Sequence, residues 1–103
     1  MVRNGSIRLV QIISLDADGW RSNEDFYSAL LPKLGAPVWH GHNLDALRDS
    51  LSGDINSVEP PFTVEIANAR QLTPEMDGFL ARVAAVFQDA REEFNVDVSF
   101  KMK

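Results

Sequence analysis

The 103-residue chain contains no cysteine, so it has neither a disulfide framework nor thiolate chemistry, a composition that suits a reducing cytoplasm. No apolar run approaches the roughly 20 residues of a membrane span, and Met1 to Arg8 carry no apolar core of a secretory signal. The expectation is a soluble cytoplasmic protein with no membrane partner. Positive charge is scarce: 10 Lys and Arg stand against 15 Asp and Glu, giving a net charge of −5 and a pI near 4.8. Binding a nucleic-acid backbone needs clustered Lys and Arg, which argues against DNA or RNA as a direct ligand. A cationic protein fits better, because complementary fields steer association. Also missing are a Gly-rich phosphate loop, a serine in a nucleophile elbow, internal repeats and low-complexity linkers. No cofactor is expected.

An apolar content of 45% over this length gives one compact domain, residues 1–103, with a modest core. The run from Ile7 to Leu15 is mostly apolar and rich in β-branched residues, the pattern of a strand buried on both faces. Ser22 and Asp25 form a capping box that opens a helix through Phe26, Tyr27, Leu30 and Leu34. Pro32 predicts a kink or an end near Leu31, and Gly35 and Pro37 terminate the element. Phe62 to Ile66 alternates as a second strand, and Ala67 to Leu72 reads as a short helical turn or a plain connection. Thr73-Pro74-Glu75 starts the longest helix, whose apolar stripe runs from Met76 through Phe79, Leu80, Val83, Val86, Phe87 and Ala90 to Phe94. Val96 to Phe100 alternates as a closing strand. Strands separated by helices imply parallel pairing through right-handed crossovers, hence an α/β fold with a small three-stranded parallel sheet packed by helices.

The stretch from Trp39 to Leu51 stands apart from this scaffold. Asn43 is placed to cap a short helix, accepting from the N–H of Asp45 or Ala46, and Leu44, Leu47 and Leu51 recur at helical spacing as its buried face. Asp45 and Asp49 fall one turn apart on the opposite side. Such a like-charge pair costs an isolated helix about 0.2–0.5 kcal/mol, so folding alone gives little reason for it and a basic partner gives a good one. The alternative is a solvated face in which Asp45 balances the helix dipole and pairs with Arg48 at i+3. Arg48 is the only Lys or Arg between Lys33 and Arg70. A second acid pair, Asp89 and Glu93, flanks the stripe of the long helix; side by side, the two helices make one negative surface. Trp39, core residue or exposed contact, lies in the adjoining turn, and an exposed aromatic beside charges is the usual make-up of an interface hot spot. His40 and His42 lack a third ligand at metal spacing, so turn packing, hydrogen bonding and pH sensitivity are favoured over a metal site. A hydrolase using Asp45 or Asp49 as acid and base is disfavoured by their exposed setting.

The segment Gly41-His42-Asn43-Leu44-Asp45-Ala46-Leu47-Arg48-Asp49-Ser50-Leu51-Ser52-Gly53 resembles the signature of the barstar family, small intracellular inhibitors of barnase-type ribonucleases. Val86 to Ala90 and Gln71-Leu72-Thr73 are similar to the family's last helix and its approach, and the element order covers about Ile7 to Phe100. The resemblance implies that the short helix and its turn insert into the active site of a bacterial ribonuclease and block RNA entry. Carried over, Asp49 matches the aspartate that occupies the catalytic phosphate site and Asp45 a second interface aspartate. Trp39 matches an aromatic that stacks on a catalytic histidine. Gly41 keeps the backbone close to the enzyme, and Asp89 replaces a glutamate that contacts an active-site arginine. The partner-binding set is then Trp39, Gly41, Asn43, Asp45, Asp49, Asp89 and Glu93. The chain departs from the pattern at Arg48, where the prototype has tryptophan, at His40 and His42, in place of a tyrosine and an acid, and at Asp54, in place of an aromatic. Alternatives to a barnase-type target are an immunity role against a different toxin and a binding module without nuclease inhibition.

Overall fold

The computed structural model describes residues 10–53 and 55–103. The elements are β1 (Gln11–Asp16), α1 (Asn23–Leu34), α2 (Leu44–Gly53), β2 (Phe62–Ala67), α3 (Pro74–Phe94) and β3 (Val98–Met102), with a 3-10 turn at Ala69–Gln71. The three strands are parallel in the order β1-β2-β3. Two right-handed crossovers that step in the same direction leave their helices on the same face of the sheet. Register then aligns the side chains of that face across the strands: Ile13 opposite Val64, Leu15 opposite Ile66, and Phe62 opposite Val98. All six are buried.

This topology corrects the reading of the first strand. β1 is an edge strand buried on one face only: Ile13 and Leu15 are covered, whereas Ile12 is 54% exposed. Lys33 on α1 caps its free edge, donating to the Ser14 carbonyl at 2.6 Å. Ile7 and Leu9 of the expected strand, and Asp54, lie outside the described residues. The closing strand is also displaced. Pairing starts where the Phe62 N–H donates to the Asp97 carbonyl at 3.2 Å, so Val96 remains in the connection.

Helix boundaries follow the local chemistry. Asp25 Oδ2 accepts from the N–H groups of Arg21 and Ser22 at 2.7 and 3.1 Å, satisfying two amides ahead of α1. These bonds hold the Asp25 carboxyl below its ordinary pKa. Thr73 caps α3 by accepting from Met76 N–H at 3.2 Å, with Pro74 at N1. Pro32, in contrast, does not stop α1: the helix continues to Leu34 with the proline in its last turn. The i−4 carbonyl that loses its donor belongs to Ser28, an exposed residue accessible to water. Phe94, expected to end the buried stripe of α3, is 48% exposed because it occupies the last turn beyond the sheet's cover.

Gly35 makes the turn out of α1. It adopts φ +65°, donates to the Pro32 carbonyl at 3.1 Å and accepts from Ser57 N–H at 3.1 Å. A Cβ there falls 2.5 Å from Ser57 Cβ, so the loop before β2 has no room to stay in place. Gly35→Ala is expected to lower stability by more than about 1 kcal/mol, through both the left-handed backbone and the clash. In thermal unfolding that is a fall of roughly 4–8 °C in midpoint per kcal/mol; an unchanged midpoint contradicts this account of the turn.

The core centres on Phe26, fully buried, which meets Trp20, Tyr27, Phe79 and Phe100 edge-on at centroid distances of 5.9, 5.3, 5.4 and 6.5 Å. Burial pushes the Tyr27 hydroxyl up to about 12. No helix of the described residues is long and apolar enough to cross a membrane.

Candidate functional site: the acidic helix and its turn

After Gly35 the chain runs back along α1 as an irregular turn before entering α2. The turn is tied to α1 by contacts that sequence spacing does not reveal. The His42 ring stacks on Tyr27 at 5.6 Å and 28°, and its Nδ1 bonds to the Glu24 carboxylate. The His40 ring is buried at 5% exposure, its Nδ1 donating to the Gly41 carbonyl at 2.7 Å. Both histidines therefore serve as packing pieces. No group of three or more His, Cys, Asp or Glu able to hold a metal occurs among the described residues. Just ahead of these anchors Val38 and Trp39 project outward, Trp39 at 71% exposure.

Asn43 caps α2 with its Oδ1, accepting from Ala46 N–H at 2.7 Å. Gly41 makes room for this cap: a Cβ at that position lies 2.8 Å from Asn43 Nδ2 and 3.3 Å from Ala46 Cβ. Leu47 and Leu51 are buried, joined by Ser50, whose hydroxyl donates to the Leu47 carbonyl at 3.1 Å; Leu44 is only half-buried, at the helix start. Asp45 and Asp49 are exposed on the other side, and neither has a counter-ion among the described residues.

Arg48 turns away from them. Its Nη2 donates to Asp89 Oδ2 at 2.9 Å, which clasps α2 to α3 in place of an i+3 pair with Asp45. The two helices do lie side by side, yet only part of the acidic surface is unneutralised. Asp89, half-buried, shares its charge with Arg48, whereas Glu93 one turn later is exposed. Arg48 Nε is buried with no acceptor among the described residues. A concavity of about 580 Å³ lies elsewhere, off the carboxyl ends of the strands, lined by Asp18, Asn68, Arg70, Gln71 and Lys103, and includes none of the acids or histidines of the helix and turn.

A family model described as Barstar (barnase inhibitor) matches residues 10–103, nearly the whole chain. The chain belongs to the barstar family. Its relatives include YrdF of Bacillus subtilis (strain 168), named as a candidate ribonuclease inhibitor, with 32% identity over 81 residues covering 79% of this chain and 86% of that protein. The three-stranded parallel sheet under its helices, the capped α2 and the long α3 are thus those of a barstar-family domain.

Proposed function

We propose that this barstar-family protein inhibits a bacterial ribonuclease by seating α2 and the preceding turn in the enzyme's basic active site. The observation that carries the reading is the pair Asp45 and Asp49: exposed, one helical turn apart, and without counter-ions among the described residues. Sites that hold RNA phosphates concentrate Arg, Lys and His. Two carboxylates at this spacing imitate two phosphates and accept charge-assisted, often bidentate bonds from arginine. Trp39 offers a large exposed aromatic face in the turn that leads into α2, a turn held by the His42–Tyr27 stack, so little ordering is required on binding. Gly41 and Asn43 support the helix start, and Glu93 extends the acidic surface along α3. Asp89 contributes chiefly by holding Arg48. The inhibitor performs no chemistry of its own, because occupancy is sufficient.

Titration of a barnase-type ribonuclease in an RNA-cleavage assay tests the reading, with Asp49→Ala as the comparison. Dose-dependent inhibition by the native protein, lost in the variant, is the expected outcome; equal inhibition by both contradicts it. An immunity role against a ribonuclease unlike barnase has one specific observation in its favour, the guanidinium of Arg48 within the acidic face.

A further inference from the structure

We propose that the outer edge of β3 docks a second copy of this chain, the two β3 strands pairing antiparallel about Phe100 to join two three-stranded sheets into one. The inference goes beyond the proposed function and does not rest on it, because the edge contains no residue of α2 or of the turn before it.

The β2–β3 ladder fixes which backbone groups of β3 are left open. Phe62 N–H donates to the Asp97 carbonyl at 3.2 Å, and Lys103 N–H to the Ile66 carbonyl at 2.9 Å. Asp97, Ser99, Lys101 and Lys103 therefore turn their backbone groups toward β2, and the alternate residues turn theirs the other way. Phe100 presents both N–H and C=O along the outer edge, and Met102 its N–H, with no backbone partner among the described residues. The opposite edge of the sheet differs. There Lys33 covers the Ser14 carbonyl of β1, and a lysine on an edge is a common device against strand addition. No such bond covers β3 among the described residues.

The surroundings of this edge suit another strand. A concavity of about 290 Å³ is bounded by α3 and β3, its lining including Phe87, Gln88, Arg91, Glu92 and Phe100. Its one cation and one acid cancel, and Glu92 already accepts from Gln88 Nε2 at 2.9 Å, so the wall selects no charged ligand. Met102 stands opposite Ile66 in register, on the face that carries the helices, yet is 49% exposed. An added strand lays alternate side chains on such a face. The sequence of β3 is complementary to itself. Two-fold pairing about Phe100 sets Phe100 against Phe100, Val98 against Met102 and Ser99 against Lys101 of the other copy. Apolar side chains meet on the helix-bearing face, and no like charges stand directly opposite on the other. Matching of one patch to itself is what a two-fold contact requires, and it selects a second copy over a foreign peptide.

Sedimentation equilibrium and amide hydrogen exchange of the native protein over a concentration series test the pairing, with Met102→Pro as the variant. Proline removes the outward N–H of residue 102 and spares the bonds that Lys101 and Lys103 make to β2. The mass of the native protein is expected to approach twice that of the monomer as concentration rises, while exchange at the Phe100 amide slows. Met102→Pro is expected to associate at least about tenfold more weakly. A native protein that stays monomeric, with Phe100 exchange independent of concentration, excludes the second copy and overturns the inference. Association without slower exchange at Phe100 puts the contact on another surface and also overturns it, as does native-like association of a folded Met102→Pro. If that variant does not fold, the concentration dependence of Phe100 exchange in the native protein decides alone.

Discussion

Asp49→Ala is expected to weaken inhibition of the target ribonuclease by at least about 2 kcal/mol, roughly a 30-fold rise in dissociation constant. The same substitution leaves stability within about 0.5 kcal/mol of the native protein. The two effects have different physical origins. In the free protein the Asp49 carboxylate is exposed and without a counter-ion among the described residues, and it faces a like charge one turn away at Asp45. Its removal costs no packing and relieves a repulsion worth about 0.2–0.5 kcal/mol. In the proposed complex the same carboxylate is desolvated against arginine or lysine, and truncation is expected to leave that cation buried without a partner, a loss of about 2–5 kcal/mol. A side chain that is neutral or slightly harmful to folding and strongly favourable to binding is the signature of a functional position. Parallel measurement of the unfolding midpoint and the inhibition constant checks both halves. A variant that loses stability and inhibition together points to a structural role for Asp49 and contradicts the account.

Phe26→Ala carries the largest expected effect on folding, a destabilisation of about 3–5 kcal/mol. Phe26 is completely buried and meets four aromatic rings, on the loop before α1, on α1 itself, on α3 and on β3. Truncation removes the transfer energy of the ring, leaves a cavity, and forfeits edge-to-face contacts each worth about 0.5–1.5 kcal/mol beyond area. Domains of this size are stable by only about 5–15 kcal/mol in total, so the variant loses a large share of its margin. Urea unfolding followed by circular dichroism is expected to give a much lower midpoint, with Phe26→Leu falling between the two. A loss below about 1 kcal/mol contradicts the placement of Phe26 at the centre of the core. The neighbouring Tyr27 links this core to the proposed binding face, since the ring that packs against Phe26 also stacks on His42, in the turn that follows Trp39.

Much of this arrangement is legible in the sequence because it is local. Asn43, Ser22 with Asp25, and Thr73 with Pro74 are cap signals spanning three or four residues, and each caps the helix it announces. The 3.6-residue stripe from Met76 to Ala90 likewise needs no knowledge of its neighbours. What is not legible depends on residues distant in sequence. An apolar run does not reveal whether its strand is central or at an edge, and β1 is at the edge because both crossovers step the same way. Neither the Arg48–Asp89 clasp, 41 residues apart, nor the His42–Glu24 contact, 18 apart, has a periodic trace. The acidic pair itself was readable by its spacing and by the family resemblance. Which of the nearby charges are neutralised within the chain was not, and that difference separates Asp45 and Asp49 from Asp89.

The measurement closest to the central claim is steady-state inhibition of a barnase-type ribonuclease at several RNA concentrations, with the inhibitor in excess over enzyme. If the helix and turn occupy the phosphate-binding site, RNA and inhibitor exclude one another: the apparent KM for RNA rises with inhibitor and kcat is unchanged. A fall in kcat at constant KM means that inhibitor and RNA bind together, and contradicts a mechanism in which Asp45 and Asp49 stand in for RNA phosphates.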